Sequence, residues 1–501
     1  MDIKTVQGRY EHEGLSFLTI TLPSFGKDFE KSLDQGKVDR RSFASFKRKR
    51  GLPRFLGGFL DRVFDRSSGV LLDDPCIDAI IAIRQLTLMY SKIELPVSDD
   101  RNAQAMRGFI ECEQEVRFHD SRRSPKDLED FHRVSRLLFG KALTDVDREI
   151  YYGEGLIPKH GPGSTADGFS GNEKYRQETW PARLEEYFPS GEMLLPNFSY
   201  WEKLDQVDFL EPGSEIAVKV ITVPKTMKTP RIIGMEPVAM QYAQQAILPL
   251  LLEALQGSRK RGNDYLGSFL GFSDQTPNQR MAESGSLLQG LATLDLSEAS
   301  DRVSNQLVRQ MLSDHPHLHG AVDACRSRKA DVRGYGKIRL AKFANMGSAL
   351  CFPMEAMVFL TLVFLGIEQE LNTSLDQRTV KQYVGKVRIY GDDIIIPVEH
   401  VRSVVRMLEH FGAKVNTAKS FWTGRFRESC GKEYYSGHDV SIVKFRDAFP
   451  THRMNATGVI SLISFRNQMY FSGYWETVKW LDDAIRKLIK HFPVVEPSSP
   501  V

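Results

Sequence analysis

At 501 residues, 41% hydrophobic and 26% charged, the chain is long enough to bury several cores and too mixed in composition for a disordered scaffold. Its formal charge of +3 sums over local clusters and excludes no partner class. Five scattered cysteines, odd in number and never spaced Cys-x-x-Cys, argue against a disulfide framework or zinc site and point to a reducing cytoplasm.

In chain order, the polar, charged N-terminal stretch lacks the pattern of a signal peptide, and no internal repeat follows it. Lys47-Arg48-Lys49-Arg50, with Arg40, Arg41 and Arg54 nearby and Phe43 and Phe46 interleaved, suits phosphate contact with base stacking, or else a solvated loop or helix face. Cys76 to Tyr90, with Ile77, Ile80, Ile81, Leu86 and Leu88, predicts a buried helix, and His160 to Gly171 a Gly- and Ser-rich loop. Ile216, Val218, Val220 and Thr222 alternate as a strand that runs into a basic segment, Pro224 to Arg231. Met240 to Leu255 reads as a long helix, and Arg259-Lys260-Arg261 is a second basic cluster.

Leu291 to Leu296 is a short apolar strand carrying Asp295, followed by a helix with Val303, Leu307 and Met311 on one face, which Asp301 or Ser300 could cap. After a polar, basic connection (Arg326 to Lys342), Gly347-Ser348 opens a helix from about Phe352 to Leu365. Its apolar run, Met354 to Gly366, is shorter than a bilayer span and contains Glu355, so no membrane is expected. Val387 to Tyr390 and Asp393 to Ile396 are apolar arms joined across Gly391-Asp392, a hairpin signal. An amphipathic helix, His400 to Phe411, stops at Gly412, and Tyr434-Tyr435 and Val440 to Phe445 flank a second hairpin at Ser436-Gly437-His438. This order predicts an α+β fold with an antiparallel sheet.

Two adjacent Asp residues at a hairpin tip with apolar arms repel each other unless cations neutralise them, and Mg²⁺ favours carboxylate oxygens. The alternative is a solvated acidic turn. Placed beside the hairpin, Asp295 and Asp392 could bridge two Mg²⁺ ions, with Asp393 helping to hold them. Asp301 is suited to accept a hydrogen bond from a ribose 2′-hydroxyl, or to cap the following helix. Lys225, Lys228 and Arg231, stiffened by Pro224 and Pro230, suit a triphosphate, or an ordinary basic loop. Lys419 could protonate a departing pyrophosphate, or be a surface lysine.

Together these parts carry a resemblance. Thr293-Leu294-Asp295-Leu296-Ser297-Glu298-Ala299-Ser300-Asp301-Arg302 resembles the first palm motif of viral RNA-dependent RNA polymerases. Asn345-Met346-Gly347-Ser348 with its helix resembles the second, and Tyr390-Gly391-Asp392-Asp393 the third. Lys414 to Lys419 and Glu428-Ser429-Cys430-Gly431-Lys432 fall where the next two belong. Arg427 to Gly437 with Asp439-Val440, Leu15 to Lys31, and His160 to Asp167 are similar, more narrowly, to the replicase subunit of leviviruses, the positive-strand RNA bacteriophages. Many relatives carry Gly-Asn-Gly and a Thr where this chain has Gly347-Ser348-Ala349 and Cys351.

The resemblance implies a right-hand polymerase: N-terminal region and fingers over 1–210, an edge strand, nucleotide-channel loop and fingers over 211–290, an antiparallel-sheet palm over 291–446, and a thumb over 447–501. It implies Asp295, Asp392 and Asp393 as ligands of two Mg²⁺ ions, with Mn²⁺ able to substitute. Asp301 and Ser348 become candidates for ribose selection, and Lys225, Lys228 and Arg231 for the nucleotide channel. The implied partners are single-stranded RNA template and product, ribonucleoside triphosphates, host elongation factors Tu and Ts and a ribosomal protein, in the cytoplasm of an infected bacterium. The rivals are the narnavirus and mitovirus replicases, a reverse transcriptase, which usually has a bulky aromatic near the position of Asp301, and a non-catalytic RNA-binding protein.

Overall fold

Helices dominate the first 150 residues, and the sheets that position the site are built from strands after residue 217. The computed structural model of the protein describes residues 2–153, 155–195, 197–256 and 265–490; Arg259-Lys260-Arg261 lies outside them, as does His491, the end of a helical stretch that the sequence suggests from Trp475. Helix α1 (Leu22–Gln35) starts on Leu-Pro and stops at Gly36, φ 69°. It buries Leu22, Phe25, Phe29 and Leu33 along one helical stripe. Each such side chain stabilises the fold by about 1.5–3 kcal/mol. Helix α2 (Ile77–Leu88) packs against it, as its apolar content predicts, although Leu86 faces solvent because it falls off the stripe. The long helices α3 (Asp99–Arg122) and α4 (Pro125–Tyr152) follow, the second started by a reciprocal Ser124–Asp127 capping box.

Phe43 and Phe46 do not stack on bases. Both are buried against Phe25, with ring centroids 4.4 and 4.9 Å away, because the loop folds its aromatic residues under α1 and leaves Lys47, Lys49 and Arg50 outside.

Strands β1 (Val218–Val223) and β2 (Arg231–Met235) form the predicted strand and the far side of the basic loop. Helix α5 (Val238–Leu255) is buried as expected, and helix α6 (Thr276–Leu288) leads to β3 (Leu291–Asp295). The helix after β3, Asn305–Met311, is capped by the Ser304 hydroxyl on Gln306 N, not by Asp301 or Ser300, which lie in a 3₁₀ turn over Ser300–Arg302. The connection from Arg326 to Lys342 is not irregular: β4 (Lys329–Val332) and β5 (Gly336–Arg339) make a hairpin in the sheet order β2-β1-β4-β5. β4 runs parallel to β1, a long-range pairing that rescues a strand with few apolar residues.

Helix α7 (Cys351–Leu371) is long and apolar enough to cross a bilayer, but 89% of its most apolar window is buried inside the protein. It forms the main core with α4, α5 and the later helix α8. Cys351 is part of that packing. The carboxylate hairpin is β6 (Arg388–Tyr390) and β7 (Asp393–Pro397), in the antiparallel order β6-β7-β3. Helix α8 (Val401–His410) ends before Gly412, φ 95°. Strands β8 (Phe426–Ser429), β9 (Lys432–Tyr435) and β10 (His438–Asp439) form the third antiparallel sheet. The expected hairpin forms across Ser436-Gly437, but its second arm is short: it pairs through His438, Asp439 and the Val440 N–H, which donates to Glu433 O, and the chain then leaves the sheet, with Phe445 N bonding to Met89 O. Helices α9 (Ala456–Phe471) and α10 (Trp475–Leu488) pair at the end of the described chain. The α+β expectation with a central antiparallel sheet holds.

Candidate active site

Strand register builds the site. In β7 against β3, Asp393 stands opposite Asp295, and Ile394 and Ile396 face Leu294 and Ala292. These isoleucines and Ile395 between them are wholly buried, so both faces of β7 are packed and a slip by one residue would have to repack both. β6 and β7 pair Tyr390 with Asp393, leaving Gly391-Asp392 as a two-residue turn. Gly391 has φ 60°, and a Cβ there would meet the Phe352 ring at 2.6 Å. Only glycine fits. Asp392 is exposed at this tip, with Asp295 and Asp393 below it.

The carboxylates are anchored differently. Asp295 Oδ2 accepts from Asn416 Nδ2 at 2.8 Å, and Oδ1 from Lys419 Nζ at 3.3 Å. The 415–421 segment extends the sheet along the other edge of β3: Asn416 N donates to Asp295 O, and Thr293 and Phe421 exchange both backbone bonds. That pairing delivers Lys419. Asp393 accepts from Cys430 N at 3.2 Å and from Ser429 Oγ at 3.4 Å. Burial first, then Asp392 and Asp295, push the Asp393 carboxyl up to about 7. Desolvation and Asp295 also raise Asp392. Burial works against the charge on Lys419, but Asp295 and Glu428 outweigh it and raise the ammonium. Among the described residues no three His, Cys, Asp or Glu side chains are gathered closely enough to hold a metal as they stand. Asp295 is turned toward Lys419, and Asp393 toward the β8–β9 turn.

The basic loop faces these acids. Lys225, Lys228 and Arg231 are exposed. Desolvation, then Arg231 and Lys419, lower Lys225, while Asp392 and Asp295 act the other way. Asp301 Oδ1 accepts from the buried Lys342 at 2.8 Å. Ser348 Oγ donates to Gln244 Oε1 at 3.1 Å, which fixes the hydroxyl beside the close crossing of Gly347 and Gly234 O. Glu298, between Asp295 and Asp301, holds φ 54°, a left-handed conformation strained for a side chain of its size.

Several residues here carried no site signal in the sequence. Lys27 lies on α1 one turn before Lys31, whose Nζ reaches Ser420 O at 3.1 Å. Asp34 of α1 accepts from the backbone N–H groups of Trp422, Thr423 and Gly424 at 3.0–3.1 Å. Lys92 lies in a turn pinned to the 445–446 segment. Met227, at the tip of the basic loop, packs into the same apolar cluster as Tyr90 and Leu95, and Arg101 donates to its carbonyl. Burial lowers both lysines, Lys92 to about 8, with Lys419 contributing to each. Glu355, in the second turn of α7, is buried; burial and then Asp392 and Asp301 raise it well above its ordinary value. Its signal was visible as a carboxylate inside an apolar helix.

The RNA replicase, beta-chain family matches residues 214–487, more than half of the chain. The RNA-directed RNA polymerase beta chain of Enterobacteria phage fr is 38% identical over 221 residues, 44% of this chain and 36% of the relative. The RNA-directed RNA polymerase subunit beta of Escherichia virus Qbeta is 34% identical over 263 residues, 52% of this chain and 40% of the relative. The matched parts thus span about two fifths of these relatives or less. A crystal structure of the RNA-dependent RNA polymerase of a human picorbirnavirus, an insertion-loop deletion mutant, aligns over 55% of this chain and 58% of its own at 14% identity and a TM-score of 0.39, too low to bear on the site. With the replicase match covering every residue of the acidic and basic site except those supplied by the N-terminal helices and turns, the chain belongs to the RNA replicase beta-chain family.

Proposed function

We propose that this chain is a template-directed RNA polymerase that copies a single-stranded RNA phage genome inside the bacterial host, joining ribonucleotides from their triphosphates with release of pyrophosphate. The observation that carries the reading is Asp295 opposite Asp393, with Asp392 at the turn and Lys225 of the basic loop close enough to feel both Asp392 and Asp295. In this reading 1–210 holds the N-terminal region and fingers, 211–290 the nucleotide-channel loop, 291–446 the palm and 447–501 the thumb.

The donor chemistry fits Mg²⁺, with Mn²⁺ able to substitute: the ligands are hard carboxylate oxygens, and carboxylates that raise one another's proton affinity are relieved by a divalent cation. Two such ions, held by Asp295, Asp392 and Asp393, would supply Lewis-acid activation of the attacking hydroxyl and neutralise charge on the leaving pyrophosphate. The remaining work falls to the chain's own side chains. Lys225, Lys228 and Arg231 hold the triphosphate. Asp301 accepts from the ribose 2′-hydroxyl, and Ser348, oriented by Gln244, is a second ribose contact. Lys419, released from Asp295, keeps its proton for the departing pyrophosphate. Template and product RNA are the macromolecular partners. Host elongation factors Tu and Ts and a ribosomal protein are proposed from family resemblance alone.

The test is incorporation. Purified protein, supplemented with host extract, should incorporate labelled ribonucleotides on an RNA template with Mg²⁺. Asp392→Asn should abolish incorporation while RNA binding persists. RNA binding without incorporation under every condition would return the chain to the class of non-catalytic RNA-binding proteins.

A further inference from the structure

Helix α3 passes behind the sugar side of the site and presents Phe109, Cys112 and Glu113 on one face. Cys112 Sγ lies 3.5 Å from Asp301 O. Lys342 is fully buried, with Nζ 2.8 Å from Asp301 Oδ1, 3.5 Å from Glu113 Oε1 and 3.5 Å from the centroid of the Phe109 ring. Glu113 Oε2 also accepts from Ala341 N at 2.8 Å, which fixes the backbone just before Lys342. Arg302, next to Asp301, is committed to Glu115 and Glu298.

A buried ammonium is costly unless paired, and one carboxylate would satisfy it. Here there are two. One cation against two carboxylates leaves a negative charge, and of the two acids only Asp301 reaches solvent appreciably, its side chain 19% exposed against 3% for Glu113. Its Oδ1 is taken by Lys342, and among the described residues no hydrogen bond reaches Oδ2, which is left as an acceptor.

We propose that Lys342 and Glu113 are positioning residues for ribose recognition. Lys342 fixes Asp301 through one oxygen and leaves the other for a 2′-hydroxyl. Glu113 shares Lys342, so that the cation is not spent on Asp301 alone and Asp301 remains a stronger acceptor than in a closed one-to-one pair. The proposal rests on the reading of Asp301 as the ribose contact.

The experiment compares kcat/KM for ATP and 2′-deoxy-ATP on an RNA template for the full chain and four variants. Lys342→Met and Glu113→Gln should each lower the ATP to 2′-deoxy-ATP ratio by about tenfold, the worth of a charge-assisted hydrogen bond. Asp301→Ala should lower it at least as much, and Asp301→Ala combined with Glu113→Gln should add no further loss. A merely structural role would reduce both substrates alike and leave the ratio unchanged. Should Lys342→Met fail to fold, Glu113→Gln decides, since it keeps an acceptor for Ala341 N. A reduced ratio in Asp301→Ala with unchanged ratios in the folded Lys342 and Glu113 variants overturns the proposal alone. An unchanged ratio in Asp301→Ala overturns the ribose reading and the proposal with it.

Discussion

Lys419 Nζ lies 3.3 Å from Asp295 Oδ1, so the acid that would take part in holding the metal is already paired to a cation of the protein itself. Asn416 occupies the other oxygen at 2.8 Å. If Asp295 holds a divalent ion as proposed, that ion would compete with this lysine, and the released lysine would be available to the proposed leaving group. Lys419→Ala should therefore tighten Mn²⁺ binding several-fold by titration while lowering single-turnover incorporation by about 10²-fold or more. Weaker Mn²⁺ binding in the variant would show that the pair does not compete with metal.

Asp393 predicts a pH signature. In the folded chain its carboxyl is pushed up to about 7, against about 3.9 unfolded. Between these values the folded state binds more protons, so the stability this group contributes is full below the unfolded value and is lost as pH rises toward 7. With divalent metal chelated, Asp393→Asn should melt higher than the parent protein, and the gap should widen from pH 5 to pH 7 and then level off. Glu236 and Glu428 also rise to about 7, so the parent's own pH slope is shared and the difference isolates Asp393. A constant gap across the range refutes the assignment.

Lys27 and Lys92 place N-terminal charge next to Lys419, Lys225 and Lys228. If that rim meets the triphosphate, Lys27→Ala and Lys92→Ala should each raise KM for nucleotides about threefold to tenfold with kcat nearly unchanged, and higher salt should shrink the effect. Equal KM values for parent and variants would leave these lysines as bystanders.

Phe46 separates packing from RNA contact. Its ring stacks on Phe55 at 5.2 Å and meets Phe25 edge-on. Phe46→Ala should cost about 3–5 kcal/mol of stability in denaturant unfolding. RNA affinity of the folded protein should stay the same, and a selective loss of affinity would restore the stacking role.

The acidic half of the site was legible because its signals are local. Apolar arms around Gly391-Asp392, the run from Leu291 to Leu296 and the apolar α7 each specify an element within a few residues. The hairpin from Lys329 to Arg339 was hidden because its strands are rich in charge and are held by parallel pairing to β1, about 110 residues earlier. Phe43 and Phe46 carry no periodicity, so their burial depends on α1 closing over them. The Lys342–Asp301–Glu113 contact was invisible for the same reason: Glu113 lies 188 residues before Asp301 and meets it only through packing.

Arg84 pairs with Glu30 at 2.8 Å and with Glu433 at 3.1 Å, and donates to Val440 O, while Asp34 ties down the backbone from Trp422 to Gly424. The segment that delivers Lys419 is thus moored to a helix nearly 390 residues earlier. During synthesis those first helices must wait with Asp34 and Arg84 lacking their distant partners until the ribosome has passed Val440. Loop closure over that span is slow and entropically opposed, so the site assembles among the last events of folding. A nascent or truncated chain carrying all three aspartates would be inert until its two ends meet.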